Sequence, residues 1–312
     1  MVQLRFLRGR VALAALLALL ACGVARTPSS IASAGLPGTA SRVEVIGEWG
    51  TDAIGRIVDV LTMGLGLPLP ANTRVHVYTS REAFRRGLVQ DAAMGEAGAD
   101  ELAAFAVGIA RPGRALLNGG MADGGREWLR LVAHELTHVA QFELAGGEGR
   151  AEQWLAEGMA EHVAFRVLER LGAGSLAAHR AVALARVQQQ PAFAHGRLEL
   201  STLGSPRDFT LRHQREGSVE TYHLTFLLAD YLIERHGFDA MVTYFRQLKR
   251  QPSAAAFRSA FGYSIAAFES EALASLRAST HRDGRSRCLS SWTRPSRASF
   301  LRCDSTDSAA TG

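Results

Sequence analysis

"HELTHVAQFELAGGEGRAEQWLAEGMAEH", residues 134–162, decides how this chain is read. In a helix, residues four apart differ by about 40° in direction and about 6 Å in height. His134 and His138 would then project side by side, close enough for two imidazoles to share one ion. Zinc, content with four nitrogen and oxygen ligands, is the usual occupant of such a pair. Glu135, next to His134 and three before His138, would stand beside the ion without joining its ligands. From there it could take a proton from a water.

A catalytic zinc needs a third protein ligand and one open position. The first helix continues about six residues past His138, to Leu144, and "AGGEGR" (145–150) supplies a tight reversal. A second helix starts near Ala151, and six residues on is Glu157. Six residues up and six back, at about 1.5 Å each, return the chain to the height of His138. Antiparallel helices about 8–10 Å apart would aim Glu157 at the ion. Glu161, ten residues into the second helix, is level with His134 and suited to accept the free N–H of a ligating histidine.

"HELTH", 18 residues, then the glutamate of "WLAEGMAEH" (154–162) resembles the gluzincin zinc metallopeptidases. The match is closest to peptidase MA-like domains, relatives of the aminopeptidase-N and thermolysin families. Trp154-Leu155 before Glu157-Gly158 is a habit of that group, and "ETYHLTFLLADYLIERHG" (220–237) is similar to its later helix. The resemblance covers about residues 105–270. It implies that His134, His138 and Glu157 are zinc ligands and Glu135 the general base. It implies that Tyr222 donates to the oxyanion of the tetrahedral intermediate, where a neutral donor is needed. His223 competes for that role, and Tyr222 as the mere start of an apolar stripe is the third reading. One departure stands out. The aminopeptidase branch holds the substrate amine with a "GxMEN" segment, whereas "NGGMAD" (118–123) lacks its Glu-Asn and sits too near the motif. An internal-bond cleaver is therefore at least as well supported, with "RALLN" (114–118) a candidate edge strand for an extended peptide.

The rest of the chain frames this body. Of 312 residues, 35 are basic and 30 acidic, but residues 1–26 and 277–312 each carry +4, leaving 27–276 at −3. All the basic residues but Lys249 are arginine. A slightly acidic body with this composition argues against nucleic-acid binding. Arg5, Arg8 and Arg10 precede the apolar stretch "VALAALLALLA" (11–21), which has the form of an export signal over residues 1–25. "LLAC" (19–22) resembles a bacterial lipobox, so either Cys22 carries a lipid that holds the protein to the cell envelope, or the signal is simply cleaved near Ala25. Residues 26–41 read as a flexible tether, 42–278 as the peptidase-like domain, and 279–312 as a polar, disordered tail. In the tail Cys288 and Cys303 are either a disulfide or two thiols.

"RVEVI" (42–46) and "TRVHVYTS" (73–80) alternate as strands do, a helix falls between them over 52–65, and Ser80 caps another. "AAFAVGIA" and "RALLN", joined by "RPG", read as two more strands. Helices are expected over 126–144, 151–171, 175–189, 218–236, 238–250, 253–260 and 264–278. A small sheet followed by many helices is an α+β arrangement. Trp128 and Trp154 are expected to pack the two motif helices, and His76, His179, His195 and His213 to be surface or core residues. Function is thus read as zinc-dependent hydrolysis of peptide or protein substrates by an exported, envelope-tethered enzyme. The alternative is a non-catalytic lipoprotein that keeps the scaffold for binding or assembly.

Overall fold

The computed structural model describes residues 29–32, 42–47, 51–121, 125–190, 193, 196 and 198–292. Cys22 and Cys303 lie outside them, as does most of the leader and tail. The architecture is α+β, a five-stranded sheet followed by a helical lobe.

The sheet uses strands β1 (Ser29–Ala32), β2 (Arg42–Ile46), β3 (Asn72–Tyr78), β4 (Gly108–Arg111) and β5 (Arg114–Asn118), in the order β1-β2-β3-β5-β4. β3 runs parallel to β2 and β5, while the outer strands β1 and β4 are antiparallel to their neighbours. Helix α1 (Thr51–Asp59), prolonged by a π turn over Val60–Gly64, makes the first crossover. Helices α2 (Arg81–Gln90) and α3 (Glu96–Phe105) belong to the second, and Ser80 caps α2 by accepting from the N–H of Ala83. Strand alternation sorts the side chains. Val75, Val77, Ala115 and Leu117 face α1 and the motif helix, whereas Leu116 packs with Phe84, Leu88 and Ala99 on the opposite side. A slip of one residue would exchange these faces, and each large apolar side chain moved into water would cost about 1.5–3 kcal/mol.

The lobe contains α4 (Arg126–Ala145), α5 (Gln153–Arg170), α6 (Leu176–Gln188), α7 (Pro206–Glu216), α8 (Ser218–His236), α9 (Phe238–Gln247), α10 (Ser253–Phe261) and α11 (Ile265–Trp292). Every residue of α5 from Trp154 to Phe165 is buried, the signature of a helix enclosed on all sides. It packs against both α4 and α8. Trp154 is fully buried and stacks on Phe268 at 5.4 Å, and Trp128 is nearly as deep, so both tryptophans pack the motif helices as expected.

Several elements differ from expectation. α3 and α7 were not anticipated, because the apolar residues of "EAGADELAAF" are mostly alanine and "PRDFTLRHQRE" has only two large apolar side chains, Phe209 and Leu211. The stretch expected as a tether contains β1, whose backbone satisfies the open side of β2; four residues of Ser, Ile and Ala give no periodicity to read. The last helix continues past residue 278 to Trp292. "RALLN" is not an edge: β5 is paired on both sides, so its backbone groups are consumed and the open edge belongs to β4.

Candidate metal centre and its cleft

The reversal between α4 and α5 builds the site. Nε2 of His134 lies 3.1 Å from Nε2 of His138 and 3.2 Å from Oε2 of Glu157, and Nε2 of His138 is 3.4 Å from the same oxygen. Ligands about 2.0–2.1 Å from a tetrahedral zinc stand roughly 3.3–3.4 Å apart, so the three atoms are spaced as its ligands would be. Oε2 of Glu157 is buried without a hydrogen-bond partner. A cation among the three atoms would satisfy that oxygen and both nitrogens, and the donor set fits zinc.

Each of the three side chains is held from behind. Nδ1 of His138 lies 2.8 Å from Oε1 of Gln141, whose amide donates to the carbonyl of Ala156 at 2.9 Å. This bond makes Nδ1 the protonated nitrogen and leaves Nε2 with its lone pair toward the centre. Nε2 of Gln153 donates to Oε1 of Glu157 at 2.7 Å, leaving Oε2 for the centre. Nδ1 of His134 lies 3.1 Å from Oε1 of Glu161, within reach though not aligned as a full hydrogen bond; Arg130 donates to the same oxygen at 2.5 Å. Glu161 thus stands where the helix arithmetic put it. Gln141 and Gln153 were missed, although one is three residues after His138 and the other four before Glu157, spacings that put each on the same helix face as its partner.

Burial and charge oppose each other throughout. Burial lowers His134, but Glu157 and Glu161 outweigh it and push the imidazole up to about 10; His138 is raised too, against burial, chiefly by Glu157. Burial would raise Glu157 and Glu161, yet the histidines pull both down, with Arg130 adding to the effect at Glu161, which falls to about 2. Glu135 goes the other way, because burial raises it more than His134 and His138 lower it. Its carboxylate sits against β4 at Gly108, where a Cβ would come within 2.9 Å of Oε1. A larger residue there would press on the Glu135 side chain.

Tyr222 and His223 are neighbours on α8, and both line the cleft. The ring of Tyr222 stands edge-on to His134 at 6.0 Å, while that of His223 lies 5.4 Å from His179. Burial, then Glu157 and Glu161, keep the Tyr222 phenol protonated far above its ordinary range. His179 and His213 line the same cleft, His213 with its ring 5.9 Å from that of Tyr222, and neither joins the His134–His138–Glu157 group. No pattern in the sequence pointed to either, since α6 and α7 bring them in from outside the motif helices.

Two solved structures are similar in fold. One is an M1 zinc metallopeptidase from Deinococcus radiodurans, with a TM-score of 0.50 and 14% identity over 80% of this chain and 51% of that one. This chain shares its fold with about half of that enzyme. The other is a point variant of an M1 zinc metallopeptidase from the same organism, with a TM-score of 0.48 and 15% identity over the same shares. This chain therefore spans about half the length of these enzymes. No family model and no curated protein matches the sequence.

Proposed function

We propose that the protein is a zinc-dependent peptidase, with His134, His138 and Glu157 as metal ligands, Glu135 as general base and Tyr222 as oxyanion donor. The observation that carries this reading is the set of three ligand atoms 3.1–3.4 Å apart, in the wall of a cleft that Glu135 and Tyr222 also line. Bound there, zinc would supply Lewis acidity to the scissile carbonyl and to the attacking water. Glu135, made more basic by its burial, takes the water's proton and returns it to the leaving amine. Tyr222 stays neutral and donates to the developing oxyanion. β4 presents its open edge beside Glu135, and an extended substrate paired there would bring its carbonyls past the base. The arginine-led apolar leader and "LLAC" (19–22) support export, with lipid on Cys22 as the tether to the cell envelope.

Zinc per chain by elemental analysis, beside hydrolysis of a mixed peptide library, tests the reading. The parent is expected to hold about one zinc and to cleave peptides. Glu157→Ala should lose most of the metal, and Glu135→Gln should keep it while hydrolysis falls by at least a thousandfold. Hydrolysis retained in Glu135→Gln would defeat the mechanism. Zinc binding with no hydrolysis of any peptide would favour the binding scaffold instead.

A further inference from the structure

The cleft encloses about 1360 Å³, more than the roughly 300–1,000 Å³ of a small-molecule site. Five glutamates are its acidic residues among the described ones. Glu157 faces the two histidines, Glu161 and Glu127 hold Arg130, Glu148 holds Arg111, and Glu135 is packed against Gly108. A substrate's free amine would need a carboxylate of its own, and each one here either faces an arginine or stands at the candidate metal centre. The wall is also apolar where water reaches it. Four large apolar side chains are exposed among the described residues, and two of them line this cleft: Phe105 at 49% and Val182 at 53%. Both stand in the wall of one cleft, where a chain bound there would cover them.

The backbone says what would cover them. The N–H of Asn118 donates to the carbonyl of Val107 at 2.8 Å, so in this antiparallel pair Val107, Ile109 and Arg111 turn their polar groups toward β5. Gly108 and Ala110 turn theirs to the open edge. Phe105, the last residue of α3, lies three residues before Gly108 and so at most about 10 Å from it along the chain, within about three substrate residues. Val182 is one turn beyond His179 on α6, on the part of the cleft near α8.

Resting on the peptidase reading, we infer that the cleft takes an internal, extended segment of a polypeptide rather than its amino terminus, and that Phe105 and Val182 recognise apolar side chains flanking the scissile bond. The test uses ten-residue internally quenched peptides with a free or acetylated amino end and with Leu or Ser at the flanking positions. Acetylation should change kcat/KM by less than about twofold, and Leu should be favoured over Ser by about tenfold or more. Phe105→Ser and Val182→Ser, both at exposed positions, should each remove several-fold of that preference through KM, with zinc content unchanged. Cleavage that requires a free amine, or a preference for Leu that survives both substitutions, overturns the inference. Anisotropy of the same acetylated peptides on the zinc-loaded Glu135→Gln protein separates recognition from chemistry. Tight binding that Phe105→Ser weakens, in a protein whose parent cleaves nothing, sinks the peptidase reading and upholds the recognition; no difference between Leu and Ser peptides in that assay overturns the recognition itself.

Discussion

Gln141 holds the position of a ligand without touching the centre. It is the acceptor for His138 and is itself fixed on the carbonyl of Ala156, one residue before Glu157, so a single side chain ties α4 to α5. Gln141→Ala removes the acceptor and frees the ring. Zinc affinity is then expected to fall by about 10–100-fold, the usual cost of losing such a partner, while the fold persists. Competition with a chromophoric chelator measures it, and an unchanged affinity would show that helix geometry alone orients His138. Gln141 was visible in the sequence, and its spacing from His138 could have revealed its role. Arg130 gave no such sign, because its partner Glu161 is 31 residues away.

The helix pairings depend on how closely backbones approach. A Cβ on Gly158 would lie 2.1 Å from the carbonyl oxygen of Thr225 and 2.8 Å from Cβ of Ala229, so α5 and α8 touch there, backbone to backbone. This contact lets Tyr222, one turn before Thr225, share the cleft with Glu157, one residue before Gly158. Gly158→Ala should cost about 1–3 kcal/mol through overpacking, even though alanine is the better helix former. Thermal unfolding would show the lowered Tm, and an equal or higher Tm would mean that α8 can move aside freely. The position of Glu157 on its helix was legible from counting residues through the turn. The partner helix was not, since nothing in "ETYHLTFLLADYL" states which face meets Gly158.

Across the whole lobe, buried polar groups set the response to acid. His162 and Arg180 both contact Asp230, joining α5, α6 and α8 in the interior. His179, stacked on Phe165, is lowered to about 4 because burial outweighs the pull of Glu161, and burial lowers His213 and His223 as well. A histidine kept neutral by folding takes up its proton more readily in the unfolded chain. Its stabilisation is complete above the unfolded value of about 6.5 and is lost as pH falls toward 4. The zinc-loaded protein should therefore unfold at progressively lower temperature between pH 7 and pH 5, and His179→Gln should flatten that slope. A slope identical in the variant would remove His179 from the account. By itself the sequence determined the matching heights of His134, His138 and Glu157, a sheet followed by helices, and Glu161 behind His134, because these follow from helical rise and local periodicity. Only the tertiary structure decided that β4 rather than β5 is the open edge, that Tyr222 rather than His223 turns toward His134, and that α3, α6 and α7 bring Phe105, His179 and His213 to the cleft. Those outcomes depend on which backbones pair and which helix faces meet, and packing between segments far apart in the chain leaves no local pattern to read.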